Sequence, residues 1–284
     1  MTAANAPGEL AYEVFALRYA THIGRKSDEN FLGEDPYHAT DMPLDFYVWL
    51  IRGHGRLVLV DTGFTAETAV RRGRHYHAHP LDLLECLGVA ARDITDVIVT
   101  HMHYDHAGNL ASFPGALIHM QEAEMHYCTG RCMCHPILRK PYEAMDVAAA
   151  VQGLFQGRMR YADGDAQIAP GISVHLCGGH TAGLQYVTVA TARGEIVLAS
   201  DAAHYYDNIL ERRPFPILLD MAAYLDGFER IRQRAGAPDR IIPGHDPLVL
   251  SAFPHFRGNP HIAQVHESPV APLVFRTPAE GQPA

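Results

Sequence analysis

The sequence predicts a layered α/β protein. Its predicted strands are mixed with helices and fall into two β-rich halves, a pattern typical of helices packed against sheets. Apolar residues make up 48% of the 284 residues and charged residues 19%, so the chain can bury a large core and is not intrinsically disordered. At roughly 150 residues per domain the length allows two domains, but α/β folds of this length also form one unit. These observations leave the number of domains open.

The first half of the chain is predicted to hold five strands and a helix. A hairpin is predicted at Gly53-His54-Gly55, which joins two β-rich runs. The helix is predicted to begin at Pro80 and to end before Gly88, because proline favours the first turn of a helix and glycine often follows the last. The predicted strands are 12–19, 46–52, 57–60, 97–100 and 116–120.

The second half is predicted to begin with a helical insertion at about residues 121–160, interrupted at Pro136 and Pro141. Predicted strands follow at 172–176, 186–190, 196–199 and 240–242, with a helix over 221–234. From residue 254 to residue 284 the chain is rich in proline and histidine without a clear period. We therefore expect a Pro-rich, extended C-terminal extension.

Charge and hydropathy exclude several kinds of partner. The 23 basic and 32 acidic residues give a net charge of −9, and an acidic surface repels the phosphate backbone of nucleic acids. No stretch approaches the ~20 apolar residues that a membrane helix needs, and the first residues lack the basic start and apolar run of a signal peptide. The sequence thus predicts a cytoplasmic protein that binds neither nucleic acid nor membranes.

Nineteen histidines are the unusual feature of the composition, and one motif concentrates them: His101-x-His103-x-Asp105-His106. Histidine is the commonest protein ligand of metals. The motif directly follows a predicted strand, and alternation along a strand points His101 and His103 in the same direction. A turn at Tyr104 then directs Asp105 and His106 to a second point. This spacing favours two adjacent metal ions over one.

Three more ligand-type residues follow predicted strands. His180 lies in the glycine-rich segment 178–183, Asp201 follows the strand at 196–199, and His245 follows the strand at 240–242. Open α/β sheets place their sites at the carboxyl ends of strands. We therefore expect these three side chains to meet the histidine motif.

With Asp61-Thr62-Gly63 upstream, this set resembles the metallo-β-lactamase superfamily. The residues that carry the resemblance span about residues 46–246, and they are His101-Met102-His103-Tyr104-Asp105-His106, His180, Asp201 and His245. The resemblance implies a four-layer αββα sandwich with a dinuclear metal site at one edge. It also implies one domain over residues 1–253, followed by the extension at 254–284.

The resemblance further implies a role for each of these side chains. One divalent ion would be held by His101, His103 and His180, the other by Asp105, His106 and His245, and Asp201 would bridge the two. Five imidazoles and two carboxylates suit zinc, with iron, cobalt and manganese as alternatives. Asp61 would accept a hydrogen bond from a ligand histidine and so fix its tautomer.

Such a site predicts a hydrolase. Two metal ions about 3.5–4 Å apart lower the pKa of a bridging water, and the hydroxide attacks a carbonyl carbon. True metallo-β-lactamases usually have cysteine at the position of Asp201 and arginine or cysteine at that of His106, and flavodiiron proteins usually have glutamate at that of His103. Because all seven ligand positions are filled, we expect an enzyme rather than a metal-binding scaffold.

The substrate prediction rests on the resemblance to one branch of the superfamily. The run from His101 to Gly108, the chain length and the helical insertion are similar to those of the N-acyl-homoserine lactone lactonases. The leading prediction is therefore quorum quenching, the opening of an N-acyl-homoserine lactone. The alternative is hydrolysis of another small lactone, an ester, a thioester as in glyoxalase II, or a cyclic amide.

One position departs from those lactonases, which usually carry a tyrosine three residues after the bridging aspartate. Here that position is His204, followed by Tyr205. Either His204 or Tyr205 is predicted to hydrogen-bond the substrate carbonyl, and Asp105 to carry a proton to the leaving alcohol. Tyr104 is predicted to line the substrate pocket, with simple packing beneath the metals as its alternative.

Two further features are left with open roles. Cys128, Cys132 and Cys134 lie in the helical insertion, where free thiols are the favoured interpretation and an accessory metal site or redox pair is the alternative. The N-terminal segment and the C-terminal extension can each pack against another subunit, which predicts a homodimer.

Overall fold

The two β-rich halves of the chain form two sheets in the computed structural model, which describes residues 10–276. The first sheet contains β1 (Glu13–His22), β2 (Leu44–Gly53), β3 (Arg56–Val60), β4 (His75–Tyr76), β5 (Asp96–Ile98), β6 (Leu117–Gln121), β7 (Met159–Ala162) and β13 (Ile262–Gln264). Its order is β13-β1-β2-β3-β5-β6-β7, with β4 paired to β1. Strands β3, β5, β6 and β7 run parallel.

The second sheet has five strands. They are β8 (Ala166–Ala169), β9 (Ile172–Leu176), β10 (Gln185–Thr191), β11 (Gly194–Ser200) and β12 (Ile241–Pro243). The order is β12-β11-β10-β9-β8, and only the β11–β12 pair is parallel within this sheet. The predicted strand at 172–176 coincides with β9, and the other predicted strands differ from the observed ones by one to three residues at their ends.

Helices cover the outer faces of both sheets. Along the described chain they are α1 (Ala66–Arg72), α2 (Pro80–Cys86), α3 (Tyr104–Ala107), α4 (Glu122–Thr129), α5 (Pro136–Arg139), α6 (Ala144–Phe155), α7 (Tyr206–Leu210), α8 (Met221–Ala235) and α9 (Leu248–Ala252). Helix α8 confirms the prediction at 221–234, and its first turn is capped by Asp220, which accepts a hydrogen bond from the Ala223 N–H at 3.0 Å. The predicted helical insertion contains α4, α5 and α6. Pro136 begins α5, and Pro141 lies between α5 and α6.

Two apolar layers follow from the alternation of side chains along the strands. On β1, Val14 and Ala16 belong to the core between the sheets, and Phe15 and Leu17 belong to the core on the other face. Strands of the second sheet contribute Val187 and other buried aliphatic residues to the same inter-sheet core. The result is the predicted αββα sandwich.

The C-terminal segment differs from the extended tail that the sequence predicts. Residues 262–264 form β13, which pairs antiparallel with β1 at the edge of the first sheet. Val265 is fully buried in the inter-sheet core. Residues 277–284 of the predicted extension lie outside the described residues.

In the part of the chain that the structure describes, helices are too short or too polar to span a lipid bilayer.

Candidate metal centre

The predicted ligands meet at one edge of the sandwich, where five strands end. Asp61 follows β3, the histidine motif follows β5, and His180 follows β9. Asp201 follows β11 directly, and His245 follows β12. The structure therefore places these side chains together where their strands end.

The sequence predicts that the histidine motif continues a strand, but the structure shows that it does not. Strand β5 ends at Ile98, so His101 and His103 lie in the loop between β5 and α3, and Asp105 and His106 lie on α3 itself. The Tyr19 hydroxyl donates to the Asp105 carbonyl at 2.7 Å and fixes this short helix. A loop followed by one helical turn, rather than strand alternation, therefore places the four side chains.

The Asp201 carboxylate is the centre of the cluster. Its Oδ2 lies 3.1 Å from His180 Nε2 and 3.7 Å from His101 Nε2. Its Oδ1 lies 3.1 Å from His106 Nε2 and 2.9 Å from His245 Nε2. One carboxylate oxygen thus faces each of two histidine groups, the arrangement that a bridging ligand requires.

The remaining ligand-type atoms complete the two groups. His103 Nδ1 lies 3.0 Å from His180 Nε2, and Asp105 Oδ2 lies 3.7 Å from His106 Nε2 and 3.9 Å from His245 Nε2. Within each group the ligand atoms lie within 4.8 Å of one another, and the groups are His101, His103, His180 and Asp201, and Asp105, His106 and His245. A third set within the same distance, Asp201, His204 and His245, overlaps both.

The outer nitrogens of the histidines are held by the protein. His106 Nδ1 is hydrogen-bonded to Asp61 Oδ2 at 2.7 Å, so Asp61 has the predicted position behind a ligand histidine. His180 Nδ1 donates to the Ile217 carbonyl at 2.6 Å. His245 Nδ1 donates to the Asp45 carbonyl at 2.7 Å. These bonds direct each Nε2 toward Asp201, the outer-shell arrangement usual for metal-binding histidines.

Asp61 is itself fixed on both oxygens. Its Oδ1 accepts a hydrogen bond from the Thr100 N–H at 2.8 Å, and its Oδ2 accepts one from the Thr100 hydroxyl at 2.8 Å. Burial raises the pKa of Asp61, while the contact with His106 opposes that shift. Thr100 immediately precedes the histidine motif, so this residue ties the motif to the end of β3.

The buried polar atoms fit a metal ion. His101 Nε2 and His106 Nε2 are buried and have no hydrogen-bond partner among the described residues, an arrangement that is costly in a protein interior. Burial lowers the pKa of His101 and His103 well below the usual value, which keeps both imidazoles neutral and able to bind a metal. A set of imidazoles and carboxylates with two inward-facing nitrogens that lack partners suits a divalent ion.

The charges around the second histidine group (Asp105, His106 and His245) attract a cation. Burial opposes a charge on His106, but Asp201 and Asp61 outweigh it and raise the pKa of His106 well above the usual value. Burial raises the pKa of Asp201, but the surrounding histidines outweigh this effect and lower that pKa well below its usual value. His204 makes the largest contribution among these histidines. The Asp201 carboxylate is therefore ionised and available as a ligand.

Glu124 on α4 is a functional candidate that sequence reasoning missed. Its buried carboxylate accepts from the N–H groups of Met102 at 2.9 Å and Gly183 at 3.1 Å, and from the Thr181 hydroxyl at 2.6 Å. Met102 lies between His101 and His103, and Thr181 follows His180. Glu124 therefore ties together the two loops that carry the first histidine group.

Glycine at position 183 is required by this contact. A Cβ atom there would lie 2.2 Å from the Glu124 backbone nitrogen. Gly179 has a φ of +82°, and a Cβ on it would lie 2.6 Å from the Tyr224 Cα. The backbone around His180 therefore approaches its neighbours too closely for a side chain at either position.

His204 and Tyr205, predicted as alternative substrate contacts, point to different places. His204 Nε2 lies 3.0 Å from Asp201 Oδ2, and its ring stacks on Phe215 at a centroid distance of 3.6 Å. The Tyr205 hydroxyl instead donates to the Pro43 carbonyl at 3.2 Å, and its ring is 1% exposed. Of these two residues, the cavity lining contains His204 and lacks Tyr205, so the structure favours His204 as the substrate contact.

A cavity of about 430 Å³ opens beside the two groups. Its lining includes the predicted residues His103, Tyr104, Asp105, His180, Asp201, His204 and His245. Tyr104 also stacks on Phe64 at 5.4 Å, and its hydroxyl accepts from Arg74 Nε at 3.2 Å. Tyr104 therefore lines the pocket and packs under it at the same time, which joins its two predicted roles.

The sequence profile of the Metallo-beta-lactamase superfamily matches residues 47–245, which contain all seven predicted ligands. The chain belongs to the metallo-β-lactamase superfamily. With its lactonase relatives, this membership makes the chain a metal-dependent hydrolase.

Named relatives lie in the same superfamily. An N-acyl homoserine lactonase from a Bacillus species is 25% identical over 225 residues, which cover 72% of this chain and 82% of the relative. A probable metallo-hydrolase of Mycobacterium tuberculosis is 33% identical over 90 residues, 28% of this chain and 29% of that protein.

Solved structures of the superfamily share the fold. A quorum-quenching N-acyl homoserine lactone lactonase superposes with a TM-score of 0.69 at 20% identity, over 86% of this chain and 95% of the lactonase. A probable metal-dependent hydrolase from Staphylococcus aureus superposes with a TM-score of 0.72 at 16% identity, over 95% and 99% of the two chains. At these identities the likeness establishes the αββα fold alone.

The cysteines of the insertion lie apart from the centre. All five cysteines have free thiols, with Cys128 buried and Cys134 exposed. Among the described residues, the groups able to hold a metal contain histidine and aspartate without cysteine. Free thiols, the favoured interpretation, agree with this arrangement.

Proposed function

We propose that this metallo-β-lactamase superfamily member is a dinuclear metal-dependent hydrolase that opens a lactone ring, with N-acyl-homoserine lactones as the first candidate substrates. The observation that carries the proposal is the Asp201 carboxylate, which presents one oxygen to each of two histidine groups at the floor of a cavity. A single-metal site has no need of the second group.

Each group has enough donors for one ion. We assign His101, His103 and His180 to the first ion, Asp105, His106 and His245 to the second, and Asp201 to both. Zinc is the proposed metal, because imidazole and carboxylate donors in compact geometry suit it, with iron, cobalt and manganese as alternatives. When bound, two such ions supply a nucleophilic hydroxide at neutral pH and polarise the substrate carbonyl.

The chain's own residues supply the proton transfer and the hydrogen bond that the reaction needs. The net reaction adds water across the lactone: an oxygen–carbon bond forms at the carbonyl carbon, the ring C–O bond breaks, and the ring oxygen takes a proton. Asp105 lines the cavity and is 9% exposed, so its carboxylate can hold that proton for the leaving alcohol. His204, held by stacking on Phe215, presents Nε2 beside Asp201, where it can donate a hydrogen bond to the carbonyl oxygen.

The similarity to N-acyl homoserine lactonases supports the substrate class. A relative of that name covers most of this chain at 25% identity. From the run that makes the chain similar to this branch, His103, Tyr104 and Asp105 line the cavity. Other small lactones, esters and thioesters share the same scissile carbonyl and remain the alternative substrates.

A panel of N-acyl-homoserine lactones of increasing chain length tests this proposal, with the acid released on ring opening followed by pH indicator. We expect turnover by the zinc-loaded protein, loss of turnover after chelation, and recovery on adding zinc. His101→Ala should abolish turnover, whereas His126→Ala, a control whose side chain is 76% exposed on α4, should keep it. Cleavage of a thioester or amide in the absence of any lactone opening would overturn the proposal.

A further inference from the structure

The cavity beside the metal centre has a basic wall, although the chain carries a net charge of −9. Four cationic side chains line it: Arg25, Arg72, Arg74 and Lys140. Among residues 10–276, the acidic residues of the lining are Asp105 and Asp201, both of which face the metal centre. The wall beyond the centre is therefore positive.

Arg72 is neutralised within the protein. Its guanidinium forms an ion pair with Glu143 at 2.7 Å and lies over the Tyr104 ring at 3.8 Å. Lys140 is exposed to solvent, which weakens its field. These two side chains do not require a ligand.

Arg25 and Arg74 are different, because both are half-buried and neither has a carboxylate within 4.0 Å among residues 10–276. Arg74 is held by Nε, which donates to the Tyr104 hydroxyl at 3.2 Å. Arg25 is held by its bonds to the Asn30 side chain and the Glu29 carbonyl. Within the described chain, the Nη1 groups of both arginines are left without a protein acceptor.

Both arginines are close to the reacting centre through rigid contacts. Arg25 lies over the Phe215 ring at 4.9 Å, and Phe215 stacks on His204, which contacts Asp201. Arg74 contacts Tyr104, the residue before Asp105. These contacts fix the two guanidiniums in the cavity wall.

The two charges act on the same region. Burial, together with Arg74 and Arg25, lowers the pKa of His22 in the cavity wall to about 4. Burial also lowers the pKa of Arg25, and the charge of Arg74 adds to that effect. His22 is therefore neutral near pH 7, so the positive field at this part of the wall comes from the two guanidiniums. Glu29 favours the charged form of Arg25 but, within residues 10–276, contacts its guanidinium only through the backbone carbonyl. Half-buried charges of one sign are costly unless an opposite charge joins them.

We propose that Arg25 and Arg74 bind a carboxylate on the part of the substrate that lies away from the scissile lactone carbonyl. This inference rests on the proposed lactonase function and narrows its substrate class to acidic lactones. Guanidinium groups suit carboxylates because their paired N–H donors match the two oxygens. A neutral N-acyl-homoserine lactone fills the same cavity without compensating the two charges.

Matched pairs of lactones test the inference on the zinc-loaded, full-length protein. N-adipoyl-homoserine lactone and N-hexanoyl-homoserine lactone differ by a terminal carboxylate in place of a methyl group, and the succinyl and butanoyl derivatives form a shorter pair. In at least one pair we expect a KM about tenfold lower or more for the acidic member, the size of one charge-assisted hydrogen bond. Added salt should reduce that preference.

Variants then assign the preference to the two arginines. Arg25→Gln and Arg74→Gln should each raise KM for the acidic lactone by a larger factor than KM for its neutral partner, and so reduce the preference. Arg92→Gln, a control at a side chain that is 88% exposed, should keep the preference intact. Equal KM values within both pairs in the unmodified protein would overturn the inference and leave the lactonase proposal standing. Failure to open any of the four lactones would overturn both.

Discussion

The buried Glu124 carboxylate accepts a hydrogen bond from the Met102 backbone N–H at 2.9 Å. The same carboxylate accepts from Thr181 and Gly183, which follow His180. Two loops that are far apart in sequence are therefore held by one side chain from a helix that contributes no ligand. The geometry of the first histidine group depends on this contact.

Glu124→Gln tests that dependence. The amide has one acceptor oxygen and turns an N–H₂ group toward buried donors, so we expect a loss of about 2–4 kcal/mol in the free energy of unfolding. Zinc affinity should fall with it, because His101, His103 and His180 lose their common support. Denaturant unfolding and zinc titration measure the two effects. Glu122→Gln on the same helix, 53% exposed, is the matched control. A Glu124→Gln protein that matches the parent in both measurements contradicts this role.

Asp61→Asn tests the support behind His106. An amide oxygen is a weaker acceptor for the Nδ1 proton than a carboxylate, so we expect metal affinity at the second group to fall by about 10–100-fold. The activity should fall with it at limiting zinc. Asp96→Asn is the control, since Asp96 makes a similar 2.8 Å contact with His119 at the opposite end of β5. If both variants bind zinc equally well, Asp61 does not tune the centre.

His204→Phe tests the donor beside Asp201. Phenylalanine keeps the stacking on Phe215 but removes Nε2, so we expect metal content to persist while kcat falls by about 10²-fold, the loss typical of one removed oxyanion donor. His204→Tyr restores a hydroxyl donor and should recover part of the rate. Steady-state kinetics with metal analysis of both proteins decides the matter. Unchanged kcat in His204→Phe would remove this residue from the reaction.

The stability of the chain should respond to pH through Asp207 on α7. Burial and the neighbouring Asp246 and Glu211 raise the pKa of Asp207 to about 7, whereas an aspartate in an unfolded chain titrates near 3.9. Between these values the folded state binds more protons than the unfolded state, so this residue lowers stability as pH rises from about 4 to about 7.

Asp207→Asn removes this titration. Relative to the parent, the variant should gain about 1–2 kcal/mol between pH 4 and pH 7, after allowance for solvent screening, and no more above that range. Urea unfolding at closely spaced pH values measures the difference. A constant difference across the range would show that Asp207 ionises in the folded protein as it does in the unfolded one.

The meeting of these polar side chains at one sheet edge was predictable because its signals are local. Asp61, His180, Asp201 and His245 each follow an apolar strand, and neighbouring strand ends meet at one edge of a sheet. The orientation of His101 and His103 was not predictable in the same way. It depends on where β5 ends, and strand ends are the least reliable part of a sequence-based assignment.

Other features depend on contacts between distant parts of the chain. Nothing in the sequence around Glu124, Arg25 or Arg74 marks them, since single charged residues in a helix or loop are usually solvated. Strand β13 contains only three residues, and its pairing with β1 joins segments more than 200 residues apart. Tyr205 and His204 are adjacent, and only the backbone at this turn decides which of them faces the cavity.

The central claim is that Asp201 and the six ligand side chains around it hold two metal ions that act together. Titration of the metal-free protein with zinc, with lactone opening and bound metal measured at each step, tests it most directly. The account predicts that bound zinc reaches two ions per chain and that full activity requires both. Full activity at one ion per chain, or binding of less than one ion, would contradict it.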